Sequence, residues 1–270
     1  MNDTAADLRE RHNRFPSVQE AFFLVIALFV AEQVTGAALR DFSSLAGFDR
    51  RDIDGSVTVI GNGILFTLLL QYKRMSYSSL FHRSRSSVGA TIGTLVVPIL
   101  LTTPAAVVFM WLVTIILQAL FPLSGWERAM FDRMMSNELA TFVAACVLAP
   151  LLEEMLFRGI ILRSFLVQYT RKRAYLYSAG LFGFFHLNIY QFAVGFFGGL
   201  CLAWLYERTR SLWPCILAHA SYNGMITWLW WSAREPAEDF MPVSWAAWLL
   251  SVPAALAGVL LLRRLLRPST

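Results

Sequence analysis

Charge is scarce in this 270-residue chain: Asp, Glu, Lys and Arg supply 15% of it and hydrophobic residues 57%, where soluble domains carry about 25% charge. That balance excludes a disordered or collagen-like chain and argues against an ordinary soluble enzyme. Cysteine is equally sparse. Cys146, Cys201 and Cys215 each sit in an apolar stretch and none forms a CxxC, which argues against a disulfide framework or a thiolate zinc site and reads them as small buried apolar residues. The net charge of +5 has no basic domain in which to gather, so nucleic acid is not expected as a partner. No fixed-period repeat, low-complexity tract or period-two alternation is visible, which leaves helices as the spanning element.

What the chain does have is length of apolar run. A bilayer core of about 30 Å needs roughly 20 apolar residues per helix. The sequence offers eight such windows, near 18–39, 53–72, 89–120, 138–162, 174–187, 190–206, 211–232 and 243–262. The expected fold class is therefore all-α: a polytopic membrane helix bundle of about eight spans, forming one integral membrane domain over 1–270. Pro98 and Pro104 predict a tilt or kink in the third window. The fifth and sixth windows, separated only by Leu187 to Ile189, predict a tight antiparallel hairpin. Gly89 and Gly93, and Gly195 and Gly199, stand at GxxxG spacing and read as close-packing faces within the monomer.

Basic residues set the orientation. Sixteen of the 23 Lys and Arg fall in the two tails and the even-numbered loops, six fall in the odd-numbered loops, and Arg158 lies inside the fourth window. Both termini are thus expected in the cytoplasm, residues 1–17 as a tail. Arg9, Arg11 and Arg14 ahead of an apolar run resemble a secretory leader, but Glu32 and Gln33 make a poor leader core, so this span is read as retained. Glu32 itself reads as an interhelical hydrogen bond or a near-interface group. The Ser- and Arg-rich loop from Lys73 to Ser87 reads as a cytoplasmic linker whose cations meet anionic lipid heads. With 21 arginines against two lysines, a bacterial source is favoured, and the bacterial inner membrane with it.

An ionisable side chain in mid-bilayer is a functional-site hypothesis by default. Glu153, Glu154 and Arg158 share the fourth window; Glu154 and Arg158, four apart with the acid first, form an intrahelical ion pair, which leaves Glu153 without a partner on its own helix. His186 closes Phe182-Gly-Phe-Phe-His186, and His219 opens His219-Ala-Ser-Tyr-Asn223. At 1.5 Å per residue, Glu153, His186 and His219 reach a common level in the middle to cytoplasmic part of the bilayer. A bland reading remains beside the chemical one, a polar cluster that locks helices together.

As chemistry, a carboxylate and an imidazole activate water, while a histidine and an amide one turn apart stabilise an oxyanion. The same atoms, Glu153 with His186 and His219, also match a catalytic zinc set with an open position. Residues alone leave both open. HExxH, GxSxG and GxGD are absent.

These three motifs, EExxxR at 153–158, FxxxH at 182–186 and HxxxN at 219–223, resemble those of the CPBP family (CAAX proteases and bacteriocin-processing enzymes, also called Abi), eight-helix intramembrane endopeptidases related to the type II CAAX prenyl endopeptidase. The resemblance covers about 138–225 as a catalytic core. It implies that Glu153 activates water with help from His186, that His219 and Asn223 stabilise the oxyanion, that Glu154 and Arg158 are structural, and that Phe182 supports the motif. It implies a peptide or membrane-protein substrate in a lipid bilayer, with zinc as the cofactor only if the enzyme is a metalloprotease. Two rivals stand beside it: a non-catalytic membrane scaffold or bacteriocin-immunity protein, and a proton-coupled transporter, which would call for inverted repeats that the sequence does not display.

Overall fold

A computed structural model describes residues 14–46, 54–134, 138–232 and 245–267. The remaining parts of the expected tail and loops lie outside the described residues. The described chain is helical throughout, with no strand and a single isolated bridge between His82 and Ser211. Long helices are α1 (Val18–Ala46), α2 (Asp54–Lys73) and α4 (Val88–Leu120). Short α3 (Tyr77–Phe81) and α5 (Gly125–Met134) lie on either side of α4 in the chain. A composite fourth helix then runs without a break through α6 (Glu138–Phe142), a π segment (Val143–Leu148), α7 (Ala149–Glu154), a second π segment (Met155–Leu162) and α8 (Arg163–Gln168). After it come α9 (Arg171–Phe185), α10 (Ile189–Thr209), α11 (Trp213–Ser232) and α12 (Trp245–Leu265).

These eight long helices coincide with the eight apolar windows. Three described helices, Val18–Phe42 within α1, α4 and α10, are long and apolar enough to cross a membrane by length and composition. The outer faces carry Phe29, Leu68, Leu120, Leu249 and Leu256 exposed, a surface that water would not tolerate and lipid does. The protein is an all-α membrane protein.

Local sequence explains the element ends. Ser17 and Glu20 cap each other's backbone N–H groups at the start of α1, at 3.4 and 2.7 Å, the reciprocal pattern of a capping box. Helix α4 runs unbroken through Pro98 and Pro104. Close to Pro98, Gly258 of α12 crosses: a Cβ there would come within 2.7 Å of the Pro98 carbonyl oxygen, so only glycine admits this approach. The α9–α10 hairpin forms as the short connection predicts. Leu187 takes a left-handed φ of 57°, and Asn188 caps α10 by accepting the Gln191 N–H at 2.8 Å.

Two expectations are corrected. Gly195 and Gly199 do pack closely, 3.0 Å from the Gly183 and Ala179 Cα atoms when given a Cβ, but Gly89 and Gly93 meet nothing within 4 Å; their spacing is incidental because that face of α4 has no neighbour there. Cys146 and Cys215 are buried, whereas Cys201 is exposed, lining the large cavity described below.

Candidate active site

The fourth helix is shaped by one proline. In the first π segment the Ala149 N–H bonds back to the Ala144 carbonyl, five residues away. In that register the Ala145 carbonyl would look to residue 150, and Pro150 has no N–H to give. Asn223 of α11 fills the gap, donating its amide Nδ2–H to Ala145 O at 2.7 Å. An orphaned backbone acceptor thus fixes where α11 meets the helix that bears the acidic pair. π turns of this kind recur at functional sites.

Glu154 and Arg158 are both 0% exposed. Arg158 Nη1 donates to Glu154 Oε1 at 2.8 Å, the ion pair expected from their spacing. Its guanidinium also lies 4.3 Å from the centre of the Phe182 ring and reaches the Gly199 carbonyl at 3.5 Å. Phe182 is therefore more than motif support. Its ring stands edge-on to His186 at 5.3 Å and to His219 at 5.9 Å between centroids, so one aromatic ring contacts the buried arginine and both imidazoles.

His219 Nδ1 meets Glu154 Oε1 at 2.9 Å, while its Nε2 lies 3.9 Å from Glu153 Oε2. A carboxylate only accepts, so Nδ1 carries the proton in that bond and Nε2 faces Glu153. His186 Nδ1 likewise donates to the Phe182 carbonyl at 3.0 Å, and its Nε2 is the nitrogen left for chemistry. Glu153 Oε2, Glu154 Oε2 and Arg158 Nε are buried with no hydrogen-bond partner among the described residues.

Glu153, His186, His219 and Asn223 line one cavity of about 1910 Å³ between the helices, larger than the roughly 300–1,000 Å³ of small-molecule sites. Asn62 also lines this cavity and was not expected from the sequence, although an amide amid the apolar run of α2 was the available signal. It donates to Glu32 Oε1 at 2.7 Å and to Thr58 O at 2.9 Å, giving Glu32 the interhelical bond expected of it. Both residues line the same cavity.

Among the described residues no group of three or more His, Cys, Asp or Glu side chains is gathered to hold a metal ion. Glu154 rather than Glu153 is the nearer carboxylate to His219, and both imidazoles keep Nε2 for the cavity while Nδ1 is held by a carbonyl or carboxylate, an arrangement that metal-bound histidines share.

Comparison with known proteins places the same stretch of chain in context. Residues 135–225 match the family model "Type II CAAX prenyl endopeptidase Rce1-like". A Bacillus subtilis (strain 168) protein named "Putative membrane peptidase YdiL" is 29% identical over 114 residues, covering 42% of this chain and 45% of that protein. The matched region thus spans less than half the length of this relative. No solved structure matches.

Proposed function

We propose that the chain is a member of the CPBP family, on the match over its residues 135–225, and that it is an intramembrane endopeptidase, hydrolysing a peptide bond with water activated by Glu153. The observation that carries this reading is the 3.9 Å gap between Glu153 Oε2 and His219 Nε2. Both side chains line a cavity large enough for an extended peptide and an attacking water.

In the proposed cycle Glu153 takes a proton from that water as the oxygen attacks the scissile carbonyl carbon. The C=O π electrons move onto oxygen, and the resulting oxyanion accepts hydrogen bonds from Asn223 and from His219 in its imidazolium form, in which Nε2 carries a proton beside the Nδ1–H held by Glu154. Asn223 has a second amide hydrogen beyond the one given to Ala145. Collapse of the tetrahedral intermediate breaks the C–N bond, and protonated Glu153 returns its proton to the leaving nitrogen. His186, facing the cavity through Nε2, helps orient the water. Glu154 and Arg158 hold His219 and Phe182 in position without touching substrate. The low-dielectric setting strengthens each of these contacts.

The bacterial inner membrane, with both termini in the cytoplasm, is the location that best suits the distribution of basic residues. Substrates would be membrane-embedded peptides or proteins reaching the cavity from the bilayer. The test is hydrolysis of a membrane-peptide reporter by the purified chain. Turnover abolished in Glu153→Gln with folding intact supports the reading, and turnover unchanged in that variant ends it.

A further inference from the structure

Away from the acidic cavity, a second pocket of about 270 Å³ lies between the ends of α2, α8 and α10 and the segment that follows α3. Four cations line it, Lys73, Arg83, Arg163 and Arg210, with Met75 and Leu166 among the remaining wall. They come from four separate stretches of chain, so no single run of basic sequence accounts for their meeting. Lys73 is buried and Arg163 half-buried, with the exposed Arg83 and Arg210 at the rim; like charges gathered in this way repel, and an anion between them relieves that repulsion.

The scaffold holding them is specific. Arg83 N–H donates to the Arg210 carbonyl at 2.8 Å, and Leu212 N–H donates to the Phe81 carbonyl at 2.8 Å. Between these bonds His82 Nδ1 meets Ser211 Oγ at 2.9 Å. Arg210 adopts a left-handed φ of 51°, a conformation that costs energy in a non-glycine residue and that turns the chain from α10 into α11 at this point. Arg163 Nη1 is fixed on the Ser79 carbonyl at 3.2 Å. Burial lowers the Arg163 pKa, and the Arg83 and Arg210 charges add to that effect. Lys73 Nζ donates to the Phe15 carbonyl and lies over the Phe15 ring, and the Glu20 charge favours its protonated form.

We propose that this pocket binds a phosphate group, presented by the headgroup of an acidic phospholipid or by a soluble phosphate, through Lys73, Arg83, Arg163 and Arg210. Three guanidinium forks and an ammonium match the several acceptor oxygens of a phosphate better than a lone carboxylate. By the distribution of basic residues the pocket belongs to the cytoplasmic leaflet, where anionic lipids concentrate.

The experiment uses the full chain in neutral detergent and follows the thermal unfolding midpoint while short-chain phosphatidylglycerol, short-chain phosphatidylcholine or inorganic phosphate is added. The double variant Arg83→Gln/Arg210→Asn removes two exposed cations, and asparagine tolerates the left-handed backbone at 210. Arg264→Gln/Arg267→Gln is the charge-matched control on the C-terminal end of the chain. Phosphatidylglycerol is expected to raise the midpoint and phosphatidylcholine to leave it unmoved, with apparent affinity about fivefold weaker per cation removed and unaltered in the control. If inorganic phosphate gives the same cation-dependent shift, the source is a soluble phosphate. A shift equal in wild type and the Arg83/Arg210 variant, or no shift with either anion, overturns the proposal.

Discussion

His219 is bonded through Nδ1 to Glu154, the buried acid, and only its Nε2 is turned toward Glu153, the acid that opens on the cavity. Because Glu154 Oε1 also receives Arg158 Nη1, one oxygen ties an ion pair to an imidazole on another helix. The two adjacent glutamates therefore have different work, and their substitutions should fail differently.

Glu153→Gln keeps the shape of the side chain and removes its basicity. Turnover of a membrane-peptide reporter should fall by about 10²–10⁴-fold, the range for loss of a general base, while the unfolding midpoint stays near that of the wild type. Single-turnover assays on the detergent-purified protein, with thermal unfolding alongside, check both halves.

Glu154→Ala leaves Arg158 charged, buried and without its carboxylate. Breaking such a pair from one side costs about 3–5 kcal/mol, so this variant should lose folded protein before activity can be assigned. The paired change Glu154→Leu with Arg158→Met should recover much of the fold and leave His219 unheld, with activity still low. Fluorescence-detected size exclusion and reporter turnover separate the two effects.

Asn223→Ala removes an oxyanion donor and strips the Ala145 carbonyl of its partner. An unmet buried acceptor costs about 1–3 kcal/mol, and loss of one donor to the oxyanion lowers kcat by about 10²–10³-fold. Both a lower unfolding midpoint and a kcat loss with little change in KM are expected.

Lys73, at the last residue of α2, is held to a pKa of about 8 by burial and by the Arg163 charge, against the opposing pull of Glu20. Between about 8 and the ordinary 10.5, the unfolded chain keeps the proton that the folded chain has released. Stability should therefore rise with pH across that window, the full penalty being present below it. The difference in unfolding midpoint between wild type and Lys73→Met, followed from pH 7 to pH 10, reports this group alone.

Because the proposed scheme activates water with Glu153 and uses no metal, chelator titration should leave reporter turnover unchanged. Loss of activity with EDTA, restored by zinc, would overturn the water-activation scheme based on Glu153 alone.

Much of the fold was legible because lipid imposes a blunt rule. The apolar windows mark the eight long helices, and the short link at 187–189 marks the hairpin. The Glu154–Arg158 pair was legible from spacing because i and i+4 face together even across the start of a π segment. The Glu154–His219 bond was hidden, since adjacent glutamates differ in direction by about 100° and sequence does not say which one a distant helix will meet. The first π segment was hidden for a related reason: its carbonyl shift depends on Pro150 together with a donor on α11, and neither signals it alone. Asn62 escaped because an amide within an apolar run is ambiguous until its partner, Glu32, is known to be beside it.

A π turn holds one residue more than an α turn. The register between Val143 and Leu148 therefore acts as a stored residue that sets the rotation of everything after it. Relaxing this turn to α geometry at unchanged length would swing the acidic pair by about 100°, carrying Glu153 off the cavity wall and Arg158 off the Phe182 ring with no side chain of the site replaced, whereas deleting one residue along with the relaxation would restore their facing. Length in this stretch is as much a part of the machinery as the identity of the acids.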